Sequence, residues 1–254
     1  MASLFNNFIE VEETSSTNEL AEKLLVKKEI QEGAVITTKF QSDGKGQYGS
    51  SWESMYGKNI LMSIVLSPNL LLTNRFHLTI CISIHLTICI SIALLDFSRQ
   101  YFHNREKVKW PNDLMIDNKK IAGILIKNFI RNGIINNAVI GIGINVNQTL
   151  HTRYSLQATS FKLLLGKDFK ISVLIDKLLY CIEKRYIEMK TKGIEGMRKK
   201  YLDNLLYFNE WREYLISGKK VKAKIINIDN TGNIVMNLDD NKIVKFSLKE
   251  ITFL

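Results

Sequence analysis

From Phe76 to Leu95 the chain runs for twenty residues without a charge. A membrane-crossing helix needs a stretch of about that length. One continuous apolar unit here would decide the fold class. The segment is not one unit. The peptide His-Leu-Thr-Ile-Cys-Ile-Ser-Ile occurs twice in tandem, at 77–84 and 85–92. With one copy removed, twelve uncharged residues remain, the length of an ordinary buried helix. Each copy also carries His, Thr and Ser, which hydrocarbon tolerates poorly. Fold-level repeats have periods of ~20–50 residues, so this octapeptide is not one. The segment reads as a buried helix with a duplicated piece. Eight added helical residues give ~12 Å of length and turn the following face by ~80°. The duplication must be looped out, absorbed at one helix end, or tolerated poorly.

The composition of the whole 254-residue sequence is that of a globular chain, with 46% hydrophobic and 24% charged residues. Its length suits one large domain, or one plus a small one. Three cysteines fit a reducing compartment. No basic-then-apolar leader opens the sequence, so a cytoplasmic location is expected. The net charge is +10, yet residues 1–33 hold seven Glu and three Lys. The basic excess therefore lies further on. It is open to two readings, a solvated surface or a surface for an anionic partner.

Ser16-Thr17-Asn18-Glu19 has capping-box spacing, and Leu20, Leu24 and Leu25 follow at helical intervals. This predicts a helix over 17–28 with Ser16 as N-cap. Residues 34–40 and 59–66 read as strands, and the glycine-bearing stretch 41–52 between them as a loop. Residues 107–110, 114–116, 121–130 and 134–146 read as further strands. Turn compositions separate them at Asp117-Asn118-Lys119 and Asn132-Gly133. Helical patterns fill 172–190 and 193–209. Short alternating strands follow at 220–228, 232–238 and 242–247. The expected fold is α+β, with a mixed or antiparallel central sheet and helices over 1–214, then a small β module over 215–254.

Four segments could carry chemistry. Gly44-Lys45-Gly46-Gln47-Tyr48-Gly49 matches G-x-G-x-x-G, but no helix opens after it and no βαβ unit follows. Its glycines still let backbone N–H groups approach an anion. Lys109-Trp110-Pro111-Asn112-Asp113 sets an aromatic ring among polar residues at a turn. Lys120-Ile121-Ala122-Gly123 brings a lysine into a strand. Gly141-Ile142-Gly143-Ile144-Asn145-Val146-Asn147 puts glycines inside a strand, where another backbone or a ligand comes close. Each alone reads equally well as ordinary turn or core. CxxC, HExxH and GxSxG are missing from the sequence, so a metal cluster or a serine triad is not expected.

Taken together and in order, TSSTN, Q-x-x-G-K-G-x-x-G-x-x-W, KWPND, KIAG, GIGINVN and a terminal β module resemble the biotin–protein ligases. The resemblance runs from about Glu13 to Leu254, and Ala158-Thr159-Ser160 also fits it. It implies a class II synthetase-like catalytic domain, with a mixed sheet and helices on one side, and a small Src-homology-3-like barrel. It implies ATP and biotin as substrates, with Mg²⁺. The implied product is biotinyl-5′-AMP, and the acceptor is a lysine of the biotin carboxyl carrier domain of a carboxylase. Some members carry an N-terminal helix-turn-helix domain. Thirteen residues precede Thr14, so the expectation is a form without it, binding neither nucleic acid nor membrane. A homodimer is left open. Two alternatives share the fold: a lipoate or octanoate ligase or transferase, and a non-catalytic biotin binder.

By the same resemblance, Ser16, Thr17, Asn18 and Gln41 meet the biotin ring system. Gly44, Lys45, Gly46 and Gly123 join Lys120 around the biotin carboxylate. Gln47, Gly49, Trp52, Trp110, Asn112, Lys120 and Asn145 meet ATP or adenylate, with Trp52 near adenine and both tryptophans walling the site. Lys120, Lys45 and Asp113 are the implied catalytic groups, and no metal ligand is assignable. The family loop commonly reads Gly-Arg-Gly with further arginines. Here Lys45 is the only cation between Gln41 and Trp52. Lysine lacks arginine's bidentate fork.

Overall fold

The computed structural model describes residues 3–68, 70–71, 77–131, 134–150 and 158–254. The chain order is β1 (Asn7–Thr14), α1 (Thr17–Val26), β2 (Ala34–Gln41), a 3-10 turn (Gln47–Gly49), β3 (Asn59–Leu66), β4 (Leu70–Leu71) and α2 (His77–Phe102). Then come β5 (Glu106–Lys109), β6 (Asp113–Ile116), β7 (Lys119–Arg131), β8 (Ile134–Asn145), α3 (Phe161–Leu165), α4 (Ile171–Lys192) and α5 (Glu195–Asp203). Five strands close the chain: β9 (Trp211–Ile216), β10 (Lys219–Ile228), β11 (Ile234–Leu238), β12 (Ile243–Phe246) and β13 (Ile251–Phe253).

The first eight strands form one mixed sheet in the order β1-β2-β3-β8-β7-β6-β5, with β4 pairing β8. Only β1 and β2 run parallel, and α1 lies on the crossover that such a pair requires. The Asn132-Gly133 turn lies outside the described residues, but β7 and β8 pair antiparallel on either side of it.

Side-chain alternation divides the sheet faces. Ile60, Met62, Ile64 and Leu66 of β3 join Ile140, Ile142 and Ile144 of β8 in the main core, which α2, α4 and α5 complete. The other face of the same strands carries Val65 and Val139, which pack with Ala21 of α1 and Ala34 and Ile36 of β2. Helices therefore lie on both faces, not on one as the resemblance implied. The small α1 covers only part of its face. Next to it the sheet presents Leu61, Gly141 and Gly143, and the cavity opens there.

Both octapeptide copies lie in the single helix α2, which runs unbroken for 26 residues. In the second copy Leu86, Ile88, Cys89, Ile90 and Ile92 are all buried, as are Ala93, Leu94, Leu95 and Phe97 beyond it. A helix apolar all round is one enclosed by protein. Among the described residues no helix is long and apolar enough to cross a membrane. The duplication thus adds helix at the N-terminal end, ahead of the copy that fills the core. Deleting either copy gives one and the same shortened sequence. That variant should keep the core, because the surviving copy takes the place of 85–92. The helix loses ~12 Å, and the two-residue β4 is the element that gives way. Unfolding should stay cooperative, because the buried side chains from Leu86 to Phe97 are all kept. Loss of cooperative melting would show that the first copy is needed.

The second sheet is antiparallel, in the order β12-β11-β10-β9-β13. Two of its strands were not read from the sequence. In β9 only Tyr214 is fully buried, so the apolar alternation is faint, and β13 has three residues. The sheet begins at Trp211, upstream of the expected 214/215 boundary. The hairpin β9–β10 turns on Ser217 and Gly218, both at positive φ (48° and 78°), as a two-residue turn requires. Likewise α5 stops at Asp203 rather than continuing to 209. The chain then lies along the edge strand β5: Val108 N–H donates to Asn204 O (2.9 Å) and Leu206 N–H to Val108 O (2.8 Å). Covering that edge outweighs two more helical turns. The two sheets share one core, in which Ile84 of α2 joins Ile234, Met236 and Phe246.

Candidate active site

The start of α1 is built differently from the capping box its spacing predicts. Ser16 is the N-cap residue, with φ −156° and ψ 133°, but its side chain caps nothing. Glu19 instead accepts from the Ser15 hydroxyl (3.0 Å). The first helical N–H, that of Thr17, donates to Gln41 Oε1 (2.9 Å), as does the Thr17 hydroxyl (3.1 Å). The parallel register sets Thr14 opposite Gln41, which delivers the glutamine to the helix N-terminus. Ser63 of β3 completes the cluster, with its Oγ 2.6 Å from Asn18 Oδ1 and 2.7 Å from Thr17 Oγ1. Asn18 Nδ2 donates to Leu125 O (3.2 Å). Sequence reasoning missed Ser63. Its signal was one hydroxyl in the buried run Asn59–Leu66.

The strand glycines make room for two side chains. A Cβ on Gly141 would sit 2.5 Å from Asn18 Oδ1, and one on Gly143 would sit 2.5 Å from Trp52 Cε2. Trp52 thus lies flat on β8, and its indole also borders Gly123 of β7. Its backbone is fixed, because Trp52 N–H donates to Gly44 O (2.8 Å). Gly44 itself has no room for a Cβ, which would meet Trp52 O at 2.3 Å. Gly46 N–H donates to Ser50 O (2.6 Å), and Ser50 N–H to Gln47 O (3.2 Å). Three N–H groups of the glycine loop are therefore spent on closing the loop itself.

Charge enters from three places. Lys120, the second residue of β7, pairs with Asp113 Oδ1 at 2.7 Å and lies 5.6 Å over the Trp52 ring. A bulge between Leu114 and Met115 sets their strands out of simple register at that point. The lysine's backbone is gripped by Thr159, whose N–H donates to Lys120 O (2.8 Å). Lys45 pairs with Asp43 and, at 3.9 Å, with Glu19. The Asp43 hydrogen bond holds the Lys45 ammonium pKa above the ordinary lysine value. Lys109 is half-buried over the Phe253 ring, at 5.3 Å. Burial pulls its pKa down, Asp113 opposes this, and the like charge of Lys120 adds to it.

Twelve of the expected site residues line one cavity of about 240 Å³: Ser16, Thr17, Asn18, Gln41, Lys45, Gly46, Gln47, Trp52, Asn112, Asp113, Lys120 and Gly123. Ser50, Ser51, Leu61, Ile124, Leu125 and Leu248 complete much of its wall without having been singled out. Four expected residues lie apart. Gly44 sits beneath Trp52, and Gly49 is at the loop tip with open space around it. Asn145 is buried further along β8. Trp110 does not wall the cavity: the turn at the cis Trp110–Pro111 bond buries its ring, and its Nε1–H donates to Gly232 O (3.0 Å) of the second sheet. Two buried atoms of cavity-lining residues, Gln47 Oε1 and Trp52 Nε1, have no protein partner. Buried polar atoms are normally satisfied, so this acceptor and donor suit a ligand. Among the described residues no three His, Cys, Asp or Glu side chains are grouped to hold a metal ion.

The fold and cavity describe an α+β domain with a ligand-sized cavity and an attached β module, and comparison with known proteins gives its family. The profile of the biotin/lipoate A/B protein ligase family matches residues 10–145, more than half of the chain. The bifunctional ligase/repressor BirA of Bacillus subtilis (strain 168) is 27% identical over 240 residues, covering 93% of this chain and 68% of that protein. The biotin–protein ligase of Homo sapiens is 26% identical over 255 residues, covering 92% of this chain and 32% of that one. Among solved structures, the biotin protein ligase from Aquifex aeolicus in complex with biotin and ATP superposes with a TM-score of 0.75. It is 24% identical and each chain is 98% covered, a likeness of fold. The chain belongs to the biotin/lipoate A/B protein ligase family.

Proposed function

We propose that the chain is an ATP-dependent biotin–protein ligase. One observation carries this reading: the cavity has a neutral hydrogen-bonding group of side chains and a separate pair of lysines. Thr17, Asn18 and Gln41 form the neutral group, with the buried Ser63 hydroxyl bonded to the first two. These suit an uncharged ureido ring, which both donates and accepts. Lys45 and Lys120 suit the carboxylate and phosphate oxygens.

In the first step a carboxylate oxygen of biotin attacks the α-phosphorus of ATP. An O–P bond forms, the bond to the bridging oxygen breaks, and pyrophosphate leaves. Lys120 steadies the charge developing on the α-phosphoryl group, and Trp52 backs the adenine. Mg²⁺ is held through one or two carboxylates plus phosphate oxygens. Asp113, the one carboxylate lining the cavity among the described residues, fits that demand, and the bound ion would neutralise the departing pyrophosphate. In the second step a lysine amine of a carrier domain attacks the acyl carbon, and AMP leaves with the C–O electron pair. Asp113, which lines the cavity, would take the amine proton. By resemblance the acceptor belongs to a biotin-dependent carboxylase in the cytoplasm.

A lipoate or octanoate substrate fits the neutral group less well. Its apolar tail brings no hydrogen-bonding ring to the Thr17, Asn18 and Gln41 side chains that line the cavity. Isotope exchange between pyrophosphate and ATP tests the reading, with exchange expected on biotin and not on lipoate. Exchange on lipoate alone would overturn it. Biotin binding without exchange would make the chain a non-catalytic binder.

The basic excess is assigned to the acceptor, since carrier domains of this kind are often acidic. Complementary charge acts mainly on association rate and is screened by salt. Transfer to the carrier should slow as salt rises to ~0.3 M, where the Debye length is several Å. Adenylation without acceptor should change less. A flat transfer rate beside falling adenylation would remove the assignment.

A further inference from the structure

Among the described residues the cavity wall carries two cations, and both have a carboxylate partner. The two pairs differ. Asp113 lines the cavity and so meets the ligand itself. Asp43 and Glu19 do not line it, and they reach ligand chemistry only through Lys45. Both are held in place. Asp43 N–H donates to Ser15 O (3.0 Å), and Ser42 N–H donates to Thr14 O (3.0 Å), which ties the start of the loop to the end of β1. Glu19 is tethered by the Ser15 hydroxyl. Two carboxylates around one ammonium leave the cluster with a net charge of −1, at a loop that has no other cation. An anionic ligand therefore meets a local charge of the wrong sign.

We propose that Asp43, seconded by Glu19, is a positioning residue that competes with the bound anion for Lys45 and so keeps the loop's hold on biotin carboxylate and adenylate weak. This rests on the ligase reading of the cavity. The competition eases release of biotinyl-5′-AMP into the transfer step. Glu19 sits farther from the ammonium, so its share is the smaller one.

The test uses the full chain and two ligands that differ in charge, biotin and biotin amide. Asp43→Asn should tighten biotin by about two- to five-fold at low salt, the scale of an exposed ion pair. It should slow biotinyl-5′-AMP release to a similar degree and leave biotin amide unchanged. Asp43→Glu keeps the carboxylate and should behave as the parent. The Lys45 ammonium, followed by NMR, should titrate at lower pH in Asp43→Asn. An equal gain for biotin and its amide would mark a structural effect and overturn the proposal, as would weaker biotin binding. If neither ligand binds the parent chain, the ligase reading fails. The Lys45 titration then judges the competition alone, and an unmoved midpoint overturns it.

Discussion

Replacing Lys120 with alanine should abolish biotinyl-adenylate formation and leave the fold intact. The stability side follows from exposure. The Lys120 and Asp113 side chains are 37% and 22% exposed, so their ion pair contributes only ~0–1 kcal/mol. The contact with the Trp52 face adds about 0.5–1 kcal/mol. The strand itself is held by backbone bonds, including the one from Thr159, which alanine keeps. The kinetic side is larger. A fixed donor aimed at charge that develops in the transition state accounts for about 10²–10³ in rate. Single-turnover adenylation should therefore fall by at least that factor while the melting temperature moves little. Lys109 supplies a second readout. Removing the like charge of Lys120 takes away one of the two causes that depress its pKa, so Lys109 should titrate higher in the variant. A near-normal single-turnover rate would reject the role given to Lys120.

The central strands were legible because their signals are local. Val-Ile-Thr-Thr and Ile-Leu-Met-Ser-Ile-Val-Leu carry β-branched and apolar side chains on both faces, as strands enclosed on both sides must. The turn at Asp117-Asn118 was readable for a similar reason, since both residues adopt the positive φ that Asp and Asn tolerate. The limits appear where the deciding partner is distant in sequence. Ser16 and Glu19 have the right spacing for a capping box, yet Glu19 accepts from the Ser15 hydroxyl, and Gln41 arrives on β2 to accept from the first helical N–H. The helical pattern past Asp203 gives way to the open edge of β5. The resemblance made Trp110 a wall of the site, but the turn sends the ring to Gly232.

The candidate site follows the same division. Its motifs were legible as separate pieces: a helix start, a glycine loop, a lysine entering a strand and two glycines within one. Their convergence is a matter of strand order, since β3, β8 and β7 are neighbours in the sheet although far apart in the chain. Glycines 141 and 143 signalled a close approach but not what approaches. Side chains of Asn18 and Trp52 fill the space. The pairing of Lys45 with Glu19 could not be read at all, because it depends on how the loop folds back over α1.

Gly143→Ala should cost the enzyme its hold on nucleotide. Gly143 lies at the middle of the sheet, opposite Leu61 on one side and Gly123 on the other. An added Cβ would lie 2.5, 2.7 and 2.9 Å from three atoms of the Trp52 ring system. Those atoms belong to a rigid indole, not to the free end of a flexible chain. The Trp52 backbone cannot back away, because Gly44 is pressed against its carbonyl and bonded to its N–H. The ring must therefore rotate off β8, leaving its contact with Lys120 and intruding on the cavity. Overpacking of this kind typically costs about 1–3 kcal/mol of stability. Nucleotide affinity should fall by more than about tenfold, since even 1.4 kcal/mol of lost contact gives that factor. Gly123→Ala provides the matched control: its Cβ would meet Trp52 at 3.2 Å and Lys120 at 3.4 Å, a contact that small shifts relieve. Calorimetric titration with ATP in the presence of biotin, alongside thermal melts, should separate the two variants. Undiminished ATP affinity in Gly143→Ala, with the melting temperature lowered, would show that the indole packs the sheet without walling the nucleotide.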